Sequence, residues 1–119
     1  MGTQGVVSIT RDGNTFIKAI CGCEGYNANE LLERLADIIQ CKCPITPQTV
    51  YKAALASKFG CGDCLVVMSE TEAVFDFEGK GDLPSSYRTT FDDPKFNPRW
   101  GYGGNTEYVE VIDINLVDS

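Results

Sequence analysis

Apolar positions recur with a period of two near both ends of the chain and with a helical period in the middle. Gly5 to Arg11 alternates and is β-branched, with Val6, Val7, Ile9 and Thr10; such side chains pack well on a pleated surface. Asp12-Gly13-Asn14 follows, and these residue types accept the positive φ of a tight turn. Thr15 to Cys21, carrying Phe16, Ile17 and Ile20, is then the return strand of a hairpin. After the loop Gly22 to Ala28, Asn27 or Asn29 is placed to cap a helix over Glu30 to Gln40. Leu31, Leu35 and Ile38 form its apolar stripe, joined by Leu32, Ala36 and Ile39, with Glu30, Glu33, Arg34 and Asp37 opposite.

A second helix is expected from Thr46-Pro47 to Phe59. Thr46 is its cap, Pro47 its first residue, and Gly60 its left-handed stop. Val50, Ala53, Ala54 and Phe59 make its buried face, so Leu31, Leu35, Ile38, Val50 and Ala54 should share one cluster. Leu65 to Met68 and Ala73 to Phe77 read as strands about a turn at Glu70-Thr71. Glu107 to Leu116 alternates again through Tyr108, Val109, Val111, Ile112 and Ile114. The order of elements predicts a single α+β domain over residues 1–119: an antiparallel sheet of about five strands with two helices packed on one face.

Gly79 to Thr106 breaks the periodicity. It holds three of the five prolines, five glycines and five of the twelve aromatics, Tyr87, Phe91, Phe96, Trp100 and Tyr102. A loop this long in a compact domain is functional or conceals a strand. Lys80, Arg88, Lys95 and Arg99 outnumber Asp82, Asp92 and Asp93 there, while the whole chain carries a net charge of −7.

That acidic balance speaks against a nucleic-acid polymer and against anionic membranes as partners. No apolar stretch approaches the ~20 residues that span a bilayer. The opening residues lack the basic and apolar regions of a secretory signal. Gly2 is followed by Val6 where myristoylation wants Ser or Thr. A cytoplasmic location is the expectation, with reduced thiols.

Reduced thiols matter because the chain has six cysteines and no histidine. They pair as Cys21-Gly-Cys23, Cys41-Lys-Cys43 and Cys61-Gly-Asp-Cys64. Without imidazole, a zinc site would need thiolates alone, and two pairs would supply four. Cys41, Cys43, Cys61 and Cys64 are the candidate ligands, with Cys21 and Cys23 as the alternative second pair. The competing readings are inert buried thiols and disulfides. Redox use of Cys61-Gly-Asp-Cys64 fits less well, because that motif follows a helix rather than opening one.

Gly22-x-x-Gly25 and Gly101-x-Gly103-Gly104 lack the setting of a phosphate loop. Gly25 does precede a helix, where backbone N–H groups can hold an anion; turn geometry is the plainer explanation. No Ser or Thr has a recognisable activating partner, so no catalytic residue is assigned. The candidate binding residues are Tyr26, Tyr87, Arg88, Arg99, Trp100 and Tyr102. Aromatic faces stack on other π systems, and arginine adds cation–π contact and bidentate phosphate binding; the alternative is that the aromatics anchor the loop on the core.

The expected function is non-enzymatic binding, of a small anionic aromatic ligand such as a nucleotide or of a protein partner, with self-association admitted. The alternatives are a zinc-stabilised four-cysteine interaction module, and a small hydrolase or transferase with an unrecognised site.

Met1-Gly2-Thr3-Gln4-Gly5-Val6, Cys23-Glu24-Gly25-Tyr26-Asn27 and the closing strand Tyr108 to Asn115 also carry a resemblance. The chain resembles an uncharacterised family of small bacterial and phage proteins that open Met-Gly-Thr-Arg-Gly and place an aromatic-Asp-Gly-Tyr-Pro motif after a hairpin. Gln4, Cys23 and Asn27 stand where that family has arginine, an aromatic and proline. The resemblance covers about the first forty residues and the last dozen. It implies the hairpin-then-helix opening and an accessory or host-interaction role, and it implies no chemistry.

Overall fold

The computed structural model describes residues 3–60, 65–75, 79–82 and 106–115. Two strands, β1 (Gln4–Arg11) and β2 (Asn14–Cys21), form the expected hairpin. Asp12 and Gly13 make its two-residue turn with φ of 55° and 82°. Positive φ at both positions matches the twist of the flanking strands. The register slips between Ile9 and Thr10, since Ile9 faces Ile17 and Thr10 faces Thr15. Phe16 is therefore the extra residue of a bulge, and the Arg11 guanidinium sits 5.0 Å from its ring centroid.

A 3-10 turn at Gly25–Asn27 leads into α1 (Ala28–Gln40), and α2 is Pro47–Ala56. Thr46 caps α2 as expected, its Oγ1 accepting the Thr49 N–H at 3.2 Å. Asn27 occupies the cap position of α1 but makes no capping bond; its Nδ2 instead donates to the Lys58 carbonyl at 2.7 Å. Both helices end in the same way, with a lysine in the left-handed region. Lys42 has φ 59° and Lys58 has φ 58°. The following N–H reaches back five residues, Cys43 to Ile38 at 3.2 Å and Phe59 to Ala54 at 2.9 Å. These bonds satisfy helix-terminal carbonyls that would otherwise be orphaned. The second helix thus ends at Ala56, and its left-handed stop is Lys58 and not Gly60.

The remaining strands are β3 (Leu65–Ser69), β4 (Glu72–Phe75), β5 (Gly79–Asp82) and β6 (Thr106–Asp113). They form one six-stranded sheet in the order β5-β4-β3-β2-β1-β6. Four ladders are antiparallel. β6 lies parallel to β1, with Val6 opposite Val109 and Ile9 opposite Ile112. So the α+β architecture holds, while the wholly antiparallel expectation is corrected at one edge. β5 is a strand concealed in the described part of the Gly79–Thr106 stretch.

Helix-facing residues alternate along the strands: Val7 and Ile9, Ile17, Ala19 and Cys21, Leu65 and Val67. They meet Leu31 and Leu35 of α1 and Val50 and Ala54 of α2 in one core. Ile38 only packs against this cluster. The buried stripe of α1 is Ala28, Leu31, Leu35 and Ile39, whose spacing keeps it on one face where Ile38 turns aside. The opposite sheet face, through Val6, Ile20, Val66, Met68 and Ala73, is a second buried cluster.

Candidate functional site

The two ends of the β1–β2 hairpin place the candidate chemistry. At one end Gly5 pairs with Cys21, and Cys21 pairs with Leu65. Cys21 is buried in the helix-side core. Burial pushes its thiol up to about 12, with the neighbouring Cys23 and Glu24 adding in the same direction. A thiol held neutral in this way is no nucleophile, and would lose its proton only to a bound metal. Gly25 is seated against β1, its N–H donating to the Thr3 carbonyl at 2.8 Å. A Cβ on Gly25 would lie 2.6 Å from the Gly5 nitrogen. Its N–H is spent and its surroundings are full, so the anion-binding reading of Gly22-x-x-Gly25 gives way to close packing of backbones. Tyr26, next in the turn, is 56% exposed.

At the other end the hairpin turn meets the C-terminus of β6. Asp113 Oδ2 accepts from Thr10 Oγ1 at 2.9 Å and from the Gly13 N–H at 2.9 Å, and Oδ1 accepts the Asn115 N–H at 2.9 Å. These donors, led by Gly13, hold the carboxyl below its usual value. The Asn115 side chain in turn donates to Asp12. A cleft of about 270 Å³ opens beside this network, between Arg11, the turn after α1 at Lys42 to Ile45, and Ile114. A second groove of about 390 Å³ runs between the helices, over Ile38 and Ala53, with Arg34, Asp37 and Lys52 at its edges.

Cys41 and Cys43 are exposed on the turn after α1, with Cys43 lining the cleft. β2 separates this end of the sheet from the Cys21–Leu65 pair by about 20 Å, at ~3.3 Å per residue. Among the described residues, no three Cys, Asp or Glu side chains are grouped to hold a metal. Cys61, Cys64, Tyr87, Arg88, Arg99, Trp100 and Tyr102 lie outside the described residues. The residues unforeseen in the sequence are Arg11, Lys42 and Ile114. No local pattern joins them; only the β1–β6 pairing and the left-handed turn at Lys42 do.

Ser8 and Lys18 face one another across the hairpin and are almost fully buried. A serine–lysine pair can act as nucleophile and base. Here the Ser8 Oγ has no hydrogen-bond partner, so Lys18 is not placed to take its proton.

No known protein family, curated protein or solved structure matches the chain. Among the described residues no helix is long and apolar enough to cross a membrane.

Proposed function

We propose that the protein is a small non-enzymatic binding protein, and that its ligand is a small anionic aromatic molecule of nucleotide type. The carrying observation is the gathering of Tyr87, Arg88, Arg99, Trp100 and Tyr102 within sixteen residues of an acidic chain. Aromatic faces beside guanidinium groups suit a base and its phosphate together. The exposed Tyr26 adds a further aromatic face. The absence of histidine from the whole chain and the unpartnered Ser8 support binding over catalysis.

Trp100 is the only tryptophan, so intrinsic indole emission reports on it alone. Titration with AMP should change that emission saturably. Arg99→Gln should weaken binding about tenfold, and Trp100→Ala, which removes the indole and is read by calorimetry instead, should cost about 2 kcal/mol as a hot spot. Unchanged emission up to millimolar AMP, GMP and ATP overturns the reading.

The zinc-stabilised module stands as a second reading, favoured by one observation. Leu65, the residue bonded to Cys64, pairs with Cys21. Cys21 and Cys23 would then be the pair to join Cys61 and Cys64 in a four-thiolate site, with Cys41 and Cys43 as the other candidate pair. Metal analysis of protein purified without chelator tests it. About one equivalent of zinc is expected, and less than about a tenth, with all thiols freely titratable once the protein is unfolded, removes it.

A further inference from the structure

The described walls of the cleft at the hairpin end come from β1, the turn after α1 and the end of β6. Among the described lining residues the cations come from separate elements, Arg11 from the last position of β1 and Lys42 from the turn after α1. Ile39, Ile45 and Ile114 supply apolar walls, and Cys43 brings a thiol. Among the described lining residues there is no carboxylate, although the chain carries seventeen acids against ten bases. Two described acids stand at this end with oxygens taken up by hydrogen bonds. Asp113 accepts from Thr10, Gly13 and Asn115, and Asp12 accepts from Asn115. The left-handed Lys42 fixes the turn through the Cys43-to-Ile38 bond, so this wall is built by the helix terminus.

We propose that this cleft binds a small organic anion: a carboxylate with an apolar body, its charge between Arg11 and Lys42 and its body against the isoleucines. A volume near 270 Å³ suits roughly ten heavy atoms, taking ~30 Å³ as the share of one water in the liquid. The guanidinium fork matches a carboxylate bidentately, and apolar walls with a few convergent polar groups are the usual make-up of a small-molecule site. Cys43 provides a reporter inside the site, and exposed Cys41 provides a reference outside it. Both thiols adjoin Lys42 in sequence, so its charge acts on each; Arg11 and the isoleucines act on Cys43.

The test compares alkylation of the native protein by iodoacetate and by iodoacetamide. Cleavage after Lys42 places the two thiols on separate peptides, residues 35–42 and 43–52. Both reagents attack the thiolate, so the ratio of their rates cancels the fraction ionised. The iodoacetate/iodoacetamide ratio at Cys43 should exceed that at Cys41 by about threefold or more, and added salt should shrink the difference. Arg11→Gln, a change at an exposed position, should bring the Cys43 ratio down to that of Cys41. Millimolar benzoate should slow Cys43 alkylation by iodoacetamide, and neutral benzamide should not. Equal ratios at the two thiols, a ratio indifferent to Arg11→Gln, or equal protection by benzoate and benzamide overturns the proposal. Trp100 emission plays no part in these readouts, so they are decided separately from the nucleotide reading.

Discussion

Where β2 ends at Cys21 the backbones touch; where the hairpin turns at Asp12 they stand apart around polar groups and open space. At the Cys21 end Gly5 and Gly25 are close enough that a Cβ on either would collide with main chain. The thiol there is buried and neutral, and the Gly25 N–H is already bonded. At the hairpin end the polar atoms are also satisfied, through Asp113, but Arg11, Lys42 and Cys43 border an open cleft. Glycines and cysteines look equally suggestive at both ends of the sequence pattern. Packing decides that one set is architecture, while the other borders space a ligand can enter.

Gly25→Ala should produce the largest effect. Its Cβ would meet the backbone of Gln4 and Gly5 at under 3 Å, and backbone cannot yield as a side-chain tip can. A loss on the order of 3 kcal/mol in denaturant unfolding is expected. A change below about 0.5 kcal/mol would break the contrast between the ends.

pH should separate the ends without a large perturbation. Cys21 has its folded pKa raised from 9.0 to about 12. The stability it contributes is fully present below pH 9 and is lost as pH rises toward 12. Cys21→Ala should flatten this alkaline arm of the stability profile. Asp113 has its folded pKa lowered from 3.8, so its contribution is present above that value and is lost as pH falls through the lower folded one. Asp113→Asn should lower the unfolding midpoint at pH 7, with the difference from wild type closing in acid. An identical acid arm in both proteins would contradict the network drawn around Asp113.

Lys58→Gly should stabilise by about 0.5–1 kcal/mol, because glycine reaches the left-handed region without the Cβ penalty. The Asn27 bond to the Lys58 carbonyl survives this change. Smallest of all, Cys43→Ser should alter stability by less than about 0.5 kcal/mol, as befits an exposed position at the open end. A greater loss would make Cys43 part of the fold instead.

The sequence pattern made the hairpin, both helices and most of the core legible, since alternation and helical spacing encode which face is buried. It misled where tertiary context chose among local options. Ile38 and Ile39 are equally apolar, and only the path of α1 over the sheet decides that Ile39 is buried. Gly60 looked like the obvious left-handed stop, yet Lys58 takes that conformation two residues earlier. Gly79–Asp82 carries no alternation, because Gly-Lys-Gly-Asp has no apolar face; pairing with β4 makes it a strand. The parallel partnership of β6 with β1 joins residues about a hundred positions apart, and no local signal announces it. The cleft is hidden for the same reason, since its walls meet only once that pairing forms.

Pulse alkylation of the native protein, read thiol by thiol, tests the contrast most directly. At neutral pH the iodoacetate/iodoacetamide ratio should be higher at Cys43 than at Cys41, while Cys21 labels with either reagent only as fast as the protein opens. If Cys21 reacts as quickly as Cys41, the packed end is not closed. If the iodoacetate/iodoacetamide ratio at Cys43 does not exceed that at Cys41, the cleft is not a site for anions.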